Sequence, residues 1–269
     1  MEKYDVKFKK KYGQNFLKNI SVVKRIVDCA PLDKNSLVIE VGPGGGVMTK
    51  ELALVAKEVL AYEIDQELRE ELNNRLGALD NIHILFQDFL NADLEKDLQD
   101  YKYDKLFFIS NVPYYITTPI IIKILEIKLA FQQITLMVQK EVGERISSLP
   151  GRKEYGSISV FLQTFYDIKK EFIVSRGNFI PEPNVDSVVV SFIPKNDINV
   201  LDIDYYQKFI RDAFQFKRKT LRNNLKNYNL TIISNLLEKN GFNLSSRAEM
   251  IPYQIFVEIA NELYKKENK

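Results

Sequence analysis

Leu37-Val38-Ile39-Glu40-Val41-Gly42-Pro43-Gly44-Gly45-Gly46 is the stretch whose reading decides the fold. The short apolar run reads as a buried strand. It ends in a glycine-rich turn, where backbone can approach a ligand with no side chain in between. A dinucleotide fingerprint, G-x-G-x-x-G, would need glycine where Val47 stands, and the Lys and Ser/Thr of a P-loop are missing. A cofactor without phosphates therefore fits the turn better than a nucleotide. The plainer account is an ordinary tight strand-to-helix connection.

Outward from this stretch, strand and helix patterns alternate. Val22 to Val27 has helical spacing, as do Met48 to Ala56, Glu67 to Leu76 and Ile120 to Ile127. Val59 to Glu63, Ile82 to Phe86, Tyr103 to Ser110 and Ile134 to Gln139 read as strands. The rhythm predicts an α/β fold, a parallel sheet with helices on both faces. Such sheets bind ligands outside the carboxyl ends of their strands. Gly42, Glu63, Asp88 and Asn111 all fall just after predicted strands. Val142 to Phe165 reads as a helix, a loop at Pro150-Gly151-Arg152 and an apolar run. Phe172 to Val174 and Val188 to Phe192 look like paired late strands, joined through a stiff loop at Phe179-Ile180-Pro181-Glu182-Pro183. After Pro194 the pattern is helical. The expected organisation is a catalytic domain over 1–194 and a small all-helical domain over 195–269.

The strand-end residues suggest specific chemistry. Glu63 follows Gly42 by about the interval at which an acid meets ribose hydroxyls. A carboxylate there can accept two hydrogen bonds at once. Ile64 would pack on an adenine face, and Asp88 would accept from the cofactor's exocyclic amine. Asn111-Val112-Pro113-Tyr114 is the sharpest signal. An adenine amine is a poor nucleophile because its lone pair is delocalised into the ring. The Asn111 side-chain oxygen and the Pro113 carbonyl would bind its two N–H groups and aim the lone pair at a methyl sulfonium. Tyr114 would stack on the target base once it leaves its helix. Taken singly, each has a plainer account: a solvated strand-end charge for Glu63, a surface turn for Asp88, an Asn-Pro turn for Asn111.

Bulk composition limits the alternatives. With 45% hydrophobic and 28% charged residues in 269, the chain can bury a full core and hold two domains. Net charge is only +2, so a nucleic-acid surface must come from local clustering. Cys29 is the single cysteine, which excludes an intramolecular disulfide and fits a reducing compartment. His83 is the single histidine, so neither a Cys/His zinc site nor a Ser-His-Asp relay is expected, and no metal is called for. Met1 to Lys11 is lysine-rich without a following apolar core, unlike a signal peptide. Charges and glutamines interrupt Ile116 to Val138, the most apolar stretch, so it is not read as a membrane span. A cytoplasmic protein is expected. Three basic patches remain: Lys7 to Lys11, the loop with Arg145, Arg152 and Lys153, and Lys217, Arg218, Lys219, Arg222 and Lys226. Read as helix, the last set is too wide for one stripe. Its interleaved Phe, Leu and Asn favour an RNA-phosphate surface over a merely solvated face.

Five motifs occur in order: Tyr12-Gly13-Gln14-Asn15-Phe16-Leu17, Glu40-Val41-Gly42-Pro43-Gly44, Asn111-Val112-Pro113-Tyr114, Phe179-Ile180-Pro181-Glu182-Pro183-Asn184-Val185-Asp186-Ser187 and Lys217 to Leu225. In these the chain resembles the ribosomal RNA adenine dimethyltransferases, most closely the small-subunit (16S) enzymes. The resemblance covers nearly the whole chain. It implies a Rossmann-like S-adenosylmethionine-dependent methyltransferase domain. It also implies that Asn15 and Leu17 contact the methionine part of the donor with Gln14 nearby, and that Gly42 lines that site. Glu63 would hold the ribose, Asp88 the adenine amine, and Asn111 would bridge cofactor and substrate. Tyr114 and Phe179 would sandwich the target adenine. The implied reaction makes dimethyladenosine at two adjacent adenosines in a hairpin loop near the 3′ end of small-subunit RNA, during late subunit assembly. Val112 stands where the family has Leu or Ile, and Tyr115 where it commonly has Asn. Rival expectations are a large-subunit (23S) RNA dimethyltransferase conferring macrolide resistance, a non-catalytic RNA-binding assembly factor and, with less support, a DNA adenine methyltransferase. Nothing in the sequence demands a dimer.

Overall fold

The structure is a computed structural model that describes residues 15–127 and 129–268. Nine strands lie among the described residues: β1 (Phe16–Leu17), β2 (Ser36–Val41), β3 (Glu58–Tyr62), β4 (Ile82–Leu85), β5 (Lys105–Asn111), β6 (Phe131–Gln139), β7 (Tyr166–Val174), β8 (Phe179–Ile180) and β9 (Ser187–Pro194). Seven of them form one sheet in the order β4-β3-β2-β5-β6-β9-β7. β2 pairs in parallel with both β3 and β5, β3 with β4, and β5 with β6, while β9 runs antiparallel to β6. The order steps one way from β2 through β3 to β4, then restarts on its other side with β5. That reversal creates a crevice beyond the carboxyl ends of β2 and β5, where such sheets take ligands.

The core explains why these segments are strands. All six residues of β2 are buried, and so are Leu106 to Ser110 of β5. Runs covered on both faces carry no polar alternation. Val38, Val59, Phe107 and Met137 share an apolar cluster with Val23, Ile26 and Val27 from the helix Ile20–Val27, and with Leu52 and Ala53 from the helix Val47–Val55. Asn19 caps the first of these helices, its side chain accepting from Ser21 N at 3.0 Å. Within the sheet, buried Gln133 donates to the Cys29 carbonyl at 2.8 Å and to Thr135 Oγ1 at 2.9 Å. Cys29 itself is half-buried and its thiol is pushed up to about 11, chiefly by burial, which disfavours the thiolate.

The chain divides into two compact units, 1–143 with 169–193, and 144–168 with 194–269. The second unit thus takes in a segment that the sequence reading assigned to the first domain, besides the helical region after Lys195. Tyr155 accounts for this. It is buried, donates to the Ile251 carbonyl at 3.1 Å, and meets Phe214 edge-on at 6.2 Å. Gly151 N donates to Glu249 O at 2.7 Å. The helix Ser157–Phe165 follows and packs on the helices Ile203–Ala213 and Tyr253–Glu267, and Leu230–Lys239 packs on the latter. No helix among the described residues is long and apolar enough to cross a membrane.

Candidate active site

The turn after β2 departs from ordinary backbone at three glycines. Gly42, Gly44 and Gly46 have φ of 73°, 55° and 76°. L residues with a Cβ rarely adopt that region. Gly42 N donates to Tyr62 O at 2.8 Å, which carries the β2–β3 pairing into the turn. A Cβ on Gly44 would lie 2.7 Å from the Phe16 ring, so Phe16 lies directly over the turn. β1 itself is fixed by antiparallel pairing with β8, Phe16 opposite Ile180 and Leu17 opposite Phe179.

Beyond the strand ends lies a cleft of about 240 Å³. Its walls include Asn15, Gly42, Glu63, Ile64, Asp88, Asn111, Pro113 and Tyr114. Leu17 lines a small extension that it shares with Gly42, Gly45 and Asn111. The structure thus brings most of the sequence-derived residues to one place, from β1, β2, β3, the turn after β4, and β5. Gln14 lies outside the described residues, as does the side chain of Tyr115. Phe179 is placed elsewhere. It is fully buried in the same apolar cluster as Leu17, Met137 and Val189, because pairing with β1 turns its ring into the core. It is not among the cleft-lining residues.

Glu63 is 4% exposed and held from both sides: Asp65 N donates to Oε1 at 2.8 Å, and Gly44 N to Oε2 at 3.2 Å. Burial raises its pKa and these backbone donors offset part of the rise. Two backbone bonds leave a carboxylate room to accept two more. Asp88 caps the short turn Phe89–Asn91, accepting from Leu90 N at 2.9 Å through Oδ1. Asn111 Nδ2 donates to Asn15 O at 3.2 Å. A carbonyl can only accept, so the amide N–H₂ must face it, and Oδ1 is the atom left as an acceptor. Pro113 O accepts from Ile116 N at 3.1 Å, and the Thr117 hydroxyl approaches both Pro113 O at 3.4 Å and Tyr114 O at 3.3 Å. Tyr114 Oη lies 2.6 Å from Ser187 Oγ.

The cleft walls carry the acids Glu63 and Asp88 and no Lys, Arg or His among the described residues. That charge suits a cationic ligand and disfavours a phosphate. S-adenosylmethionine, a sulfonium with an adenosine at one end and an amino acid at the other, fits these walls. Glu63, Ile64 and Asp88 lie on these walls together with Asn15 and the glycine turn. One residue here escaped the sequence reading. Glu40, in β2, is completely buried beside the glycine turn, and neither carboxylate oxygen finds a well-formed hydrogen bond. Burial, with the nearby Glu63 adding to it and the Thr49 hydroxyl partly offsetting it, pushes its pKa up to about 8. Its position inside an apolar strand run was the available signal.

The basic residues form no part of this cleft. Arg152 is exposed in the loop before Tyr155. Lys217, Arg218, Lys219 and Arg222 are all exposed, and none makes an ion pair with a described residue. They do not lie on one continuous helix. The helix Ile203–Ala213 stops, Lys217 to Lys219 form an irregular turn, and a short helix spans Leu221–Asn224. Asn224 enforces the break: its Nδ2 donates to Ala213 O at 2.7 Å and to Phe216 O at 3.3 Å, satisfying carbonyls at the helix end.

The family model described as ribosomal RNA adenine dimethylase matches residues 5–265 of the chain. Two curated relatives named ribosomal RNA small subunit methyltransferase A are similar over nearly its whole length. That of Macrococcus caseolyticus is 40% identical, covering 98% of this chain and 93% of the relative. That of Thermotoga neapolitana is 42% identical, covering 97% and 94%. Among solved structures, a dimethyladenosine transferase from Plasmodium falciparum aligns with a TM-score of 0.79 at 26% identity, covering 94% of this chain and 98% of that one. The 23S rRNA methyltransferase ErmE shares the fold, with a TM-score of 0.76 at 24% identity, covering 93% and 100%.

Glu40 generates a prediction. Its folded pKa of about 8 lies above its ordinary value of 4.5. The unfolded chain therefore releases this proton at lower pH than the folded one. As pH rises from about 4.5 to about 8 the folded state loses stability relative to the unfolded, and the full penalty is present above that window. Glu40→Gln removes the titration. In thermal melts without donor, the melting temperature of the variant relative to the native protein should rise from pH 5 to 8 and then level off. A difference independent of pH would show that Glu40 is already charged in the folded protein.

Proposed function

The chain belongs to the ribosomal RNA adenine dimethylase family, and on that premise we propose that its target is two adjacent adenosines in a hairpin loop near the 3′ end of small-subunit RNA. It is a methyltransferase of ribosomal RNA with S-adenosylmethionine as methyl donor. The bound donor supplies an electrophilic methyl on a sulfonium. The target amine nitrogen forms the new N–C bond, the S–C bond breaks with its electron pair going to sulfur, and the cationic amine then gives its proton to water. No side-chain base is needed, and the same sequence run twice gives the dimethylated amine.

The observation that carries this reading is the fixed amide of Asn111. With Nδ2 committed to Asn15 O, Oδ1 is the acceptor that meets the target amine, and the Pro113 carbonyl is the second, the Thr117 hydroxyl near it having Tyr114 O as its closer acceptor. One side chain is thereby tied both to the segment that meets the methionine end and to the nucleophile. Tyr114, in the turn that follows, offers its ring to the base. Phe179 contributes in this reading by holding β1, and through it Asn15, rather than by facing the cleft. The second unit binds RNA phosphates through Lys217, Arg218, Lys219 and Arg222, with Arg152 as a further contact. The acceptor is an assembling small subunit in the cytoplasm, and the enzyme acts as a monomer. The 40–42% identity to small-subunit methyltransferases supports this RNA over the large-subunit alternative.

Two tests follow. Asn111→Ala should lower single-turnover methyl transfer by roughly 10²–10³ while leaving donor affinity close to native, since this contact acts on the developing charge. Glu63→Ala should do the reverse first, weakening donor binding by calorimetry by about 1.5–3 kcal/mol with RNA affinity retained. Near-native turnover of Asn111→Ala would overturn the assignment. Separately, neutralising Lys217, Arg218, Lys219 and Arg222 together should weaken RNA binding and flatten its salt dependence, each lost phosphate contact taking about 0.7–0.9 from the slope. Donor affinity should not change. An unchanged slope in folded protein would make the cluster a solvated face.

A further inference from the structure

Tyr114 is held at two ends. Its backbone lies in the turn Tyr114–Ile116, stitched by Ile116 N to Pro113 O at 3.1 Å and Thr117 Oγ1 to Tyr114 O at 3.3 Å. Its hydroxyl, at the far end of the ring, lies 2.6 Å from Ser187 Oγ. That is at the short end of O–H···O distances. Ser187 is fully buried, so water does not compete for it. It is also rigidly placed: it opens β9, pairs opposite Gln139 at the end of β6, and follows Asp186, whose carbonyl accepts from Lys140 N at 3.0 Å. A partner of this kind is more than a surface hydroxyl that happens to be near.

We propose that Ser187 is a positioning residue for methyl transfer, its hydroxyl tethering Tyr114 Oη so that the ring stays where the target adenine must stack. This rests on the reading above in which Tyr114 meets that base. The geometry states what the tether can do. The phenolic oxygen lies on the axis about which the ring spins, so fixing it does not stop the spin. It does stop the swing about χ1 that would carry the ring into or out of the cleft. The phenolic O–H prefers the ring plane, which biases the spin as well. Without the tether, staggered χ1 wells compete and the ring has no partner at its tip. Tyr114 remains protonated at working pH, because burial raises its pKa, with the Ser187 bond offsetting part of that and Asp186 adding to it. The hydrogen bond is therefore one between neutral hydroxyls. Its value lies in holding a stacking surface in a reactive geometry, a type of positioning on which small displacements have large rate effects.

The placement also ties two distant stretches of sequence to one event. Asn111 and Tyr114 follow β5, while Ser187 ends the Phe179 to Ser187 loop motif and begins β9. The last serine of that motif thus acts on the aromatic residue of the other.

The test is a double-mutant cycle in the full-length protein, with small-subunit RNA and labelled S-adenosylmethionine under single-turnover conditions. Ser187→Ala and Tyr114→Phe each remove one half of the tether and keep the ring. Each should slow methyl transfer by about tenfold, the scale of one buried hydrogen bond, with RNA and donor affinities near native. The double variant should be no slower than either single one, since the same bond is already gone. Independent, multiplicative losses would overturn the proposal, and so would native rates in both single variants. If Ser187→Ala lowers the melting temperature and donor affinity while Tyr114→Phe is native, the serine serves only the packing of β9, and the proposal fails. Tyr114→Ala separates this from the underlying reading. An active Tyr114→Ala enzyme would remove the stacking role itself, whereas an inactive one alongside a native Ser187→Ala enzyme would remove only the tether.

Discussion

The parallel register of β2 between β3 and β5 is the constraint on which the site depends. Val41 lies opposite Tyr62 on one side, and Ile39 opposite Phe108 on the other. That register delivers Gly42, Glu63 and Asn111 to the same edge of the sheet, one from the end of each strand. A slip of one residue would reverse the faces of every side chain in a strand whose two faces are both buried, so the register is strongly specified. The reversal of strand order at β2 and β5 opens the crevice there and nowhere else in the parallel part of the sheet. The glycine turn then completes the geometry, because only glycine takes the positive φ at Gly42 and leaves space for Phe16 over Gly44.

Electrostatics gives the crevice its selectivity. Carboxylates at Glu63 and Asp88 and an absence of described basic residues on the walls favour a positively charged, phosphate-free ligand. A cluster of exposed cations lies in the other unit, on the turn at Lys217 to Lys219 and on Arg222. A low net charge on the whole chain is thus compatible with an RNA substrate, since the cationic cluster is local. Asn111 is tied to the strand pair beside the cleft: its side chain reaches the backbone of Asn15, which leads into β1, itself held by pairing with β8.

Much of this was legible in the sequence because the signals are local. β2 with its glycine turn, and β5 with Asn111-Val112-Pro113-Tyr114, announce themselves by an apolar run followed by residues that only a turn or a site would use. Glu63 and Asp88 are found by counting from those turns. What was not legible depends on contacts between distant residues. Residues 144–168 show no composition break that would separate them from the first domain, and contacts such as those of Tyr155 with Ile251 and Phe214 set them apart. The turn at Lys217 to Lys219 looks helical in sequence, yet Asn224 satisfies the carbonyls that end the preceding helix. Phe179 carries no local sign of whether it faces the cleft or the core; pairing of β8 with β1 decides it. The Tyr114–Ser187 bond joins positions 73 residues apart and has no signature in either motif alone.

Mapping of modified nucleotides by mass spectrometry tests the central claim most directly. Small- and large-subunit RNA would be compared between cells that make this protein and cells that lack it. The account predicts two adjacent dimethyladenosines near the 3′ end of the small-subunit RNA that disappear with the protein, and an unchanged large-subunit RNA. Loss of a dimethyladenosine from the large-subunit RNA instead, or no change in either RNA, would contradict it.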